Sequence, residues 1–128
     1  MANLLDLISR IFISSVFLFS AANKILQYEA TVQFMEGFNI PGILLIPTII
    51  FEIILPILII IGYQTKLAAG ILALFCLATG FIFHFDLANQ METVALLKNF
   101  GLAGGLFFLT INGPKDFILF KKKKYVKL

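Results

Sequence analysis

Ile43–Tyr63 reads ILLIPTIIFEIILPILIIIGY. As a helix its 21 residues would extend roughly 31 Å at about 1.5 Å per residue, the thickness of a bilayer's hydrocarbon core. Its one charge, Glu52, falls near the middle. A carboxylate facing lipid at that depth costs at least about 2.5 kcal/mol, so Glu52 is expected to face protein and pair. Pro56 lies four residues further on. A proline there releases the carbonyl of Glu52 from the helical ladder, so kink and carboxylate make one polar weak point.

Three more long apolar runs surround this stretch, and composition agrees with them. The chain of 128 residues is 60% hydrophobic and 13% charged, with mean hydropathy +1.00. A soluble domain is nearer half apolar and a quarter charged. The reading is an all-α integral membrane four-helix bundle forming a single domain over 1–128. Its helices are expected at about 4–26, 43–63, 67–87 and 94–111, with a basic interfacial tail over 112–128.

The first run ends in small residues, Ser20-Ala21-Ala22, as a signal peptide would. It is long for that role, however, and Asp6 stands beside Arg10 in its leading part, so an uncleaved membrane helix is expected. Arg10, Ser14, Phe17, Ala21 and Lys24 share one face, which therefore looks inward. Asp6 precedes Arg10 by four residues, an ion-pair spacing. Between runs one and two, QYEATVQFMEGFNIPG (Gln27–Gly42) is long for a loop. Val32, Met35 and Phe38 recur at near-helical spacing, predicting a short interfacial helix closed by Gly37 and Pro41-Gly42.

In run three, Ala69, Ala73, Cys76, Gly80 and His84 form a stripe of mostly small residues that lets backbones approach. Run four carries Lys98-Asn99 and then Gly101, Gly104 and Gly105, a second packing face, within the chain or against another copy. The tail, with four consecutive lysines after Phe117–Phe120, is expected to sit on anionic lipid. Eight of the ten basic residues (Arg10, Lys66, Lys115, Lys121, Lys122, Lys123, Lys124 and Lys127) fall on the side of the termini. The positive-inside rule then puts both termini in the cytoplasm. The basic balance therefore concerns membrane orientation; nucleic acid is not an expected partner.

The polar groups sort into two layers by depth. Arg10 lies about 9 Å in from the inner face at 1.5 Å per residue, and an Arg10–Glu52 pair is expected. Toward the outer face lie Lys24, His84, Asp86, Lys98 and Asn99. Such groups fix helix register or make a site for a small ligand, a quinone or a proton. One histidine gives no bis-His haem, one cysteine no disulfide or CxxC pair, and no metal set or hydrolase constellation is present.

Several stretches resemble the DoxX family of small bacterial and archaeal membrane proteins. They are Arg10 with VFLFSAANKI (Val16–Ile25), Glu52 with ILPILIIIGYQTKLAA (Ile54–Ala69), His84-Phe85, and LLKNFGLAGGLFFL (Leu96–Leu109). Family members often carry glycine shortly before the lysine that ends helix one; here Ala21, Ala22 and Asn23 stand there. The resemblance implies a four-helix bundle in the bacterial or archaeal cytoplasmic (inner) membrane. It also implies association with quinone-linked oxidase or thiosulfate-oxidising complexes.

The function expected is an accessory or assembly subunit of a redox-linked membrane complex, without catalysis of its own. The alternatives are a quinone- or small-lipid-binding oxidoreductase subunit using Arg10 and Glu52, and an oligomeric proton-coupled transporter. Quinone is the candidate cofactor. The bilayer, a membrane redox complex and a second copy of the chain are the candidate partners.

Overall fold

A computed structural model of the chain describes residues 2–115. The expected tail over 112–128 therefore lies largely outside the described residues. Five α-helices follow one another: α1 (Ala2–Leu26), α2 (Tyr28–Gly37), α3 (Leu45–Ile61), α4 (Thr65–Phe83) and α5 (Gln90–Asn112), with a 3-10 turn at Gly42–Leu44 leading into α3. Four segments are long and apolar enough to cross a membrane: Asn3–Leu26, Gly42–Ile61, Thr65–Phe83 and Gln90–Asn112. Together they make the expected all-α membrane bundle, and α2 is the short helix expected in the first connection.

Element ends differ from the sequence reading for local reasons. α3 stops at Ile61 because Gly62 takes a left-handed conformation (φ 78°) and its N–H, with that of Tyr63, closes on the carbonyls of Ile59 and Leu58. Gln64 is also left-handed (φ 49°), so the chain reverses within three residues and α4 begins at Thr65. Pro47 sits in the first turn of α3, where its missing N–H has no helical partner to lose. α4 ends at Phe83, four residues short of expectation, since His84 leaves helical geometry after donating its N–H to Gly80. α5 begins four residues early. Asn89 Oδ1 accepts from the N–H groups of Met91 and Glu92, capping the first turn.

The spanning helices pack in the order α1–α3–α4–α5, while α1 and α5 meet only narrowly. The core is the inward stripe of each helix: Phe17 from α1, Leu55 and Ile59 from α3, Ala69, Leu72, Ala73 and Cys76 from α4, and Ala103 and Leu106 from α5. Large apolar side chains such as Phe12 and Phe108, each 70% exposed, cover the outside. A surface of that kind belongs in lipid. Ala21 is fully buried, so alanine serves where family members often carry glycine.

The glycines divide. A Cβ on Gly80 would lie 3.2 Å from Asn99 Nδ2 and 3.2 Å from Leu96 Cδ1, and one on Gly105 would lie 3.2 Å from Ile13 Cδ1. Both sit at close helix approaches. Gly101 and Gly104 are not at such approaches among the described residues. A Cβ on either would meet nothing within 4 Å among the described residues, because both project from the outer side of α5.

Candidate functional site

α1 and α3 run antiparallel, and their register decides which charges meet. Arg10, 1% exposed, lies level with the end of α3. Its Nη1 donates to the carbonyls of Ile59 (3.1 Å) and Ile60 (2.8 Å), and its Nε to Asp6 Oδ2 (2.9 Å). Those carbonyls belong to the last turn of α3, where helical partners run out and the helix dipole is negative. The Asp6–Arg10 pair expected from spacing is therefore present. The expected Arg10–Glu52 pair is not. Glu52 lies seven residues before Ile59, roughly 10 Å along the axis at 1.5 Å per residue, out of reach of a guanidinium anchored to that carbonyl.

Glu52 pairs instead with Lys24, at the other end of the same α1 stripe. Lys24 Nζ lies 3.0 Å from Oε1 and 2.9 Å from Oε2, and also donates to Ser20 Oγ at 2.6 Å. Ser20 Oγ in turn lies 3.4 Å from Glu52 Oε1. Glu52 is 3% exposed, and Lys24 closes it off with its side chain 24% exposed.

This triad forms one wall of a cavity of about 260 Å³. α4 and α5 supply the opposite wall. There Asn99 Nδ2 donates to the Cys76 carbonyl (3.0 Å) and to Thr79 Oγ1 (3.3 Å), and Thr79 Oγ1 bonds the Phe75 carbonyl (2.9 Å). α2 lies across the top with Thr31, Phe34 and Met35 in the lining. It is held there by an aromatic cluster, Phe34 and Phe38 against Phe83, with centroids 5.2–5.4 Å from Phe83. His84 lines the cavity too, its Nδ1 2.7 Å from Glu92 Oε2. The remaining lining is mostly apolar, including Phe17 and Phe75.

Of the expected site residues, the fold brings Lys24, Glu52, His84 and Asn99 to this one cavity. It leaves Arg10 at the opposite end of α1. Lys98 is exposed beside Glu92 and Val94 in a separate hollow, since a step of one residue on α5 turns the side chain about 100° from Asn99. Asp86 is exposed, and the imidazole of His84 goes to Glu92 instead. Ser20, Thr79 and the aromatic residues of α2 were not singled out from the sequence. Ser20 was legible, standing one turn before Lys24 on the same face. Thr79 and Phe34 carry no mark apart from the tertiary arrangement.

The DoxX family model matches residues 5–85, from the first turn of α1 through the end of α4. The chain belongs to the DoxX family. Among curated proteins, this DoxX protein is 33% identical over 108 residues to "Inner membrane protein YqjF" of Escherichia coli (strain K12), covering 84% of this chain and 83% of that protein. It is 29% identical over 115 residues to "Inner membrane protein YphA" of the same organism, covering 84% and 82%. No solved structure matches it. Four spanning segments and inner-membrane relatives make it a multi-pass protein of the cytoplasmic membrane. Within the DoxX match lie Lys24, Glu52 and His84, while α5 with Asn99 follows it.

Proposed function

We propose that this DoxX protein holds the headgroup of a small membrane-soluble molecule, a quinone-type ring being the class that fits, as a ligand-binding accessory subunit of a redox-linked membrane complex. The observation that carries this reading is the placement of the Lys24–Glu52–Ser20 triad on a cavity wall. An ion pair serving only to fasten helices is expected to be packed over, since interiors leave few voids larger than a water. Here aromatic and apolar walls surround a few convergent polar groups, the make-up of a ligand pocket. At about 260 Å³ the space suits a ring headgroup and leaves an isoprenoid tail to the bilayer. Electron transfer would fall to a partner protein.

The ends of the bundle support an orientation. Lys115 N–H donates to Asp6 Oδ2 (3.2 Å), and Lys66 packs against Gly113, so the described ends of α1 and α5 lie together with these lysines. We assign that end to the cytoplasm by the positive-inside rule. The cavity then opens in the outer half of the membrane.

Protein purified in mild detergent and extracted with organic solvent should release a lipophilic molecule in near-stoichiometric amount. Thr79→Phe, which fills the cavity, should purify without it. Equal recovery from both, with thermal unfolding unchanged, would remove the reading.

A further inference from the structure

The cavity's hydrogen-bonding groups can be counted one by one, and the donors are already used. Lys24 has three N–H bonds, directed at Ser20 Oγ, Glu52 Oε1 and Glu52 Oε2. The hydroxyl of Ser20 is directed at Glu52. Thr31 Oγ1 donates to the Gln27 carbonyl and Thr79 Oγ1 to that of Phe75. Both N–H bonds of the Asn99 amide are taken by Cys76 O and Thr79 Oγ1. His84 Nδ1 faces the Glu92 carboxylate, which accepts, so in the neutral ring the proton sits on Nδ1 and Nε2 is an acceptor. The thiol of Cys76, a weak donor, is what remains.

Acceptors are in surplus. Asn99 Oδ1 receives no hydrogen bond from the described residues. A carboxylate offers about four lone-pair sites, and Glu52 uses three, two toward Lys24 and one toward Ser20. With the His84 ring neutral, a ring whose polar atoms are carbonyl oxygens would meet acceptors on both walls, with no strong donor free to answer them. A ring bearing two hydroxyls could donate toward Asn99 on one wall and toward Glu52 on the other.

From this we infer that the cavity selects the reduced, dihydroxy form of the ring, a hydroquinone, over the oxidised quinone. The inference rests on the ligand-binding reading above and adds the redox state of the ligand. Preferential binding of the reduced form makes the bound couple easier to reduce and holds a pool of hydroquinone inside the membrane for a partner to oxidise.

The test uses detergent-purified full-length protein and three ligands built on one tetramethylated ring: tetramethylhydroquinone kept reduced under argon, tetramethylbenzoquinone, and the dimethyl ether of the hydroquinone, which has no O–H. Affinities are read by equilibrium dialysis. The hydroquinone should bind at least tenfold tighter than the quinone, a shift of about 30 mV upward in the midpoint potential of the bound two-electron couple. It should likewise bind at least tenfold tighter than the ether. A quinone that binds as well or better overturns the inference and leaves the ligand-binding reading in place. An ether that matches the hydroquinone overturns it also, since apolar burial would then explain the affinity. Failure of all three to bind removes the reading on which the inference stands.

Discussion

Arg10 and Glu52 are both nearly inaccessible, but their settings differ in kind. Arg10 closes the carbonyl end of α3 and holds Asp6. Replacing it by Met leaves Asp6 and two helix-end carbonyls without that donor, and should lower stability by about 3–5 kcal/mol, the range for breaking one side of a buried pair. Arg10→Lys should recover only part of this, because an ammonium lacks the fork that reaches two carbonyls and a carboxylate at once. At the other end of the stripe, Lys24→Met strands a buried carboxylate, whereas Glu52→Gln leaves an ammonium that is a quarter exposed. Lys24→Met should therefore be the more destabilising of the two. Thermal unfolding in detergent gives the order, and the reverse order would contradict the geometry. The inward direction of Arg10, Glu52 and Lys24 was readable from their spacing. Which cation meets Glu52 was not, because it depends on the axial register of α1 against α3, and roughly 10 Å, about two helical turns, separates the two arrangements.

At the scale of elements, α4 is the hub, with Thr65, Ala68, Ala69, Leu72, Ala73, Cys76 and Gly80 all buried. The small-residue stripe foretold this face, and Gly80 marks its closest point with α5. Gly80→Val pushes side-chain atoms into Asn99 and Leu96 and should cost about 1–3 kcal/mol, as overpacking does. Gly104→Ala meets open space and should change stability by no more than about 0.5 kcal/mol. The same glycine-rich spelling thus covers two environments, which the periodicity of the sequence could not tell apart. α2 hangs on the Phe34–Phe38–Phe83 cluster. Phe34→Ala combined with Phe38→Ala should speed amide hydrogen exchange over Tyr28–Gly37 while leaving α3 and α4 protected. Equal loosening of all three helices would show that α2 is integral to the bundle rather than a cover on the cavity.

At the scale of the molecule, the proposed orientation rests on the charge distribution and the even number of spans. A fluorescent protein that folds only in the cytoplasm should be bright when fused to either end, and a periplasm-dependent phosphatase in the same positions should stay inactive. Active phosphatase at either end would reverse the assignment and move the cavity to the inner half of the membrane. Four spanning helices, the inward stripes, the short α2 and the Asp6–Arg10 pair were all determined by the sequence itself, because hydropathy and the 3.6-residue period act over a few turns. The tertiary structure alone decided that Lys24 meets Glu52, that Arg10 caps α3, and that Ser20, Thr79, His84 and Asn99 line one cavity. Those facts depend on the antiparallel register of α1 against α3 and the facing of α4 toward α5. Such relations are set by side-chain packing between segments tens of residues apart, and no local pattern in the chain encodes them.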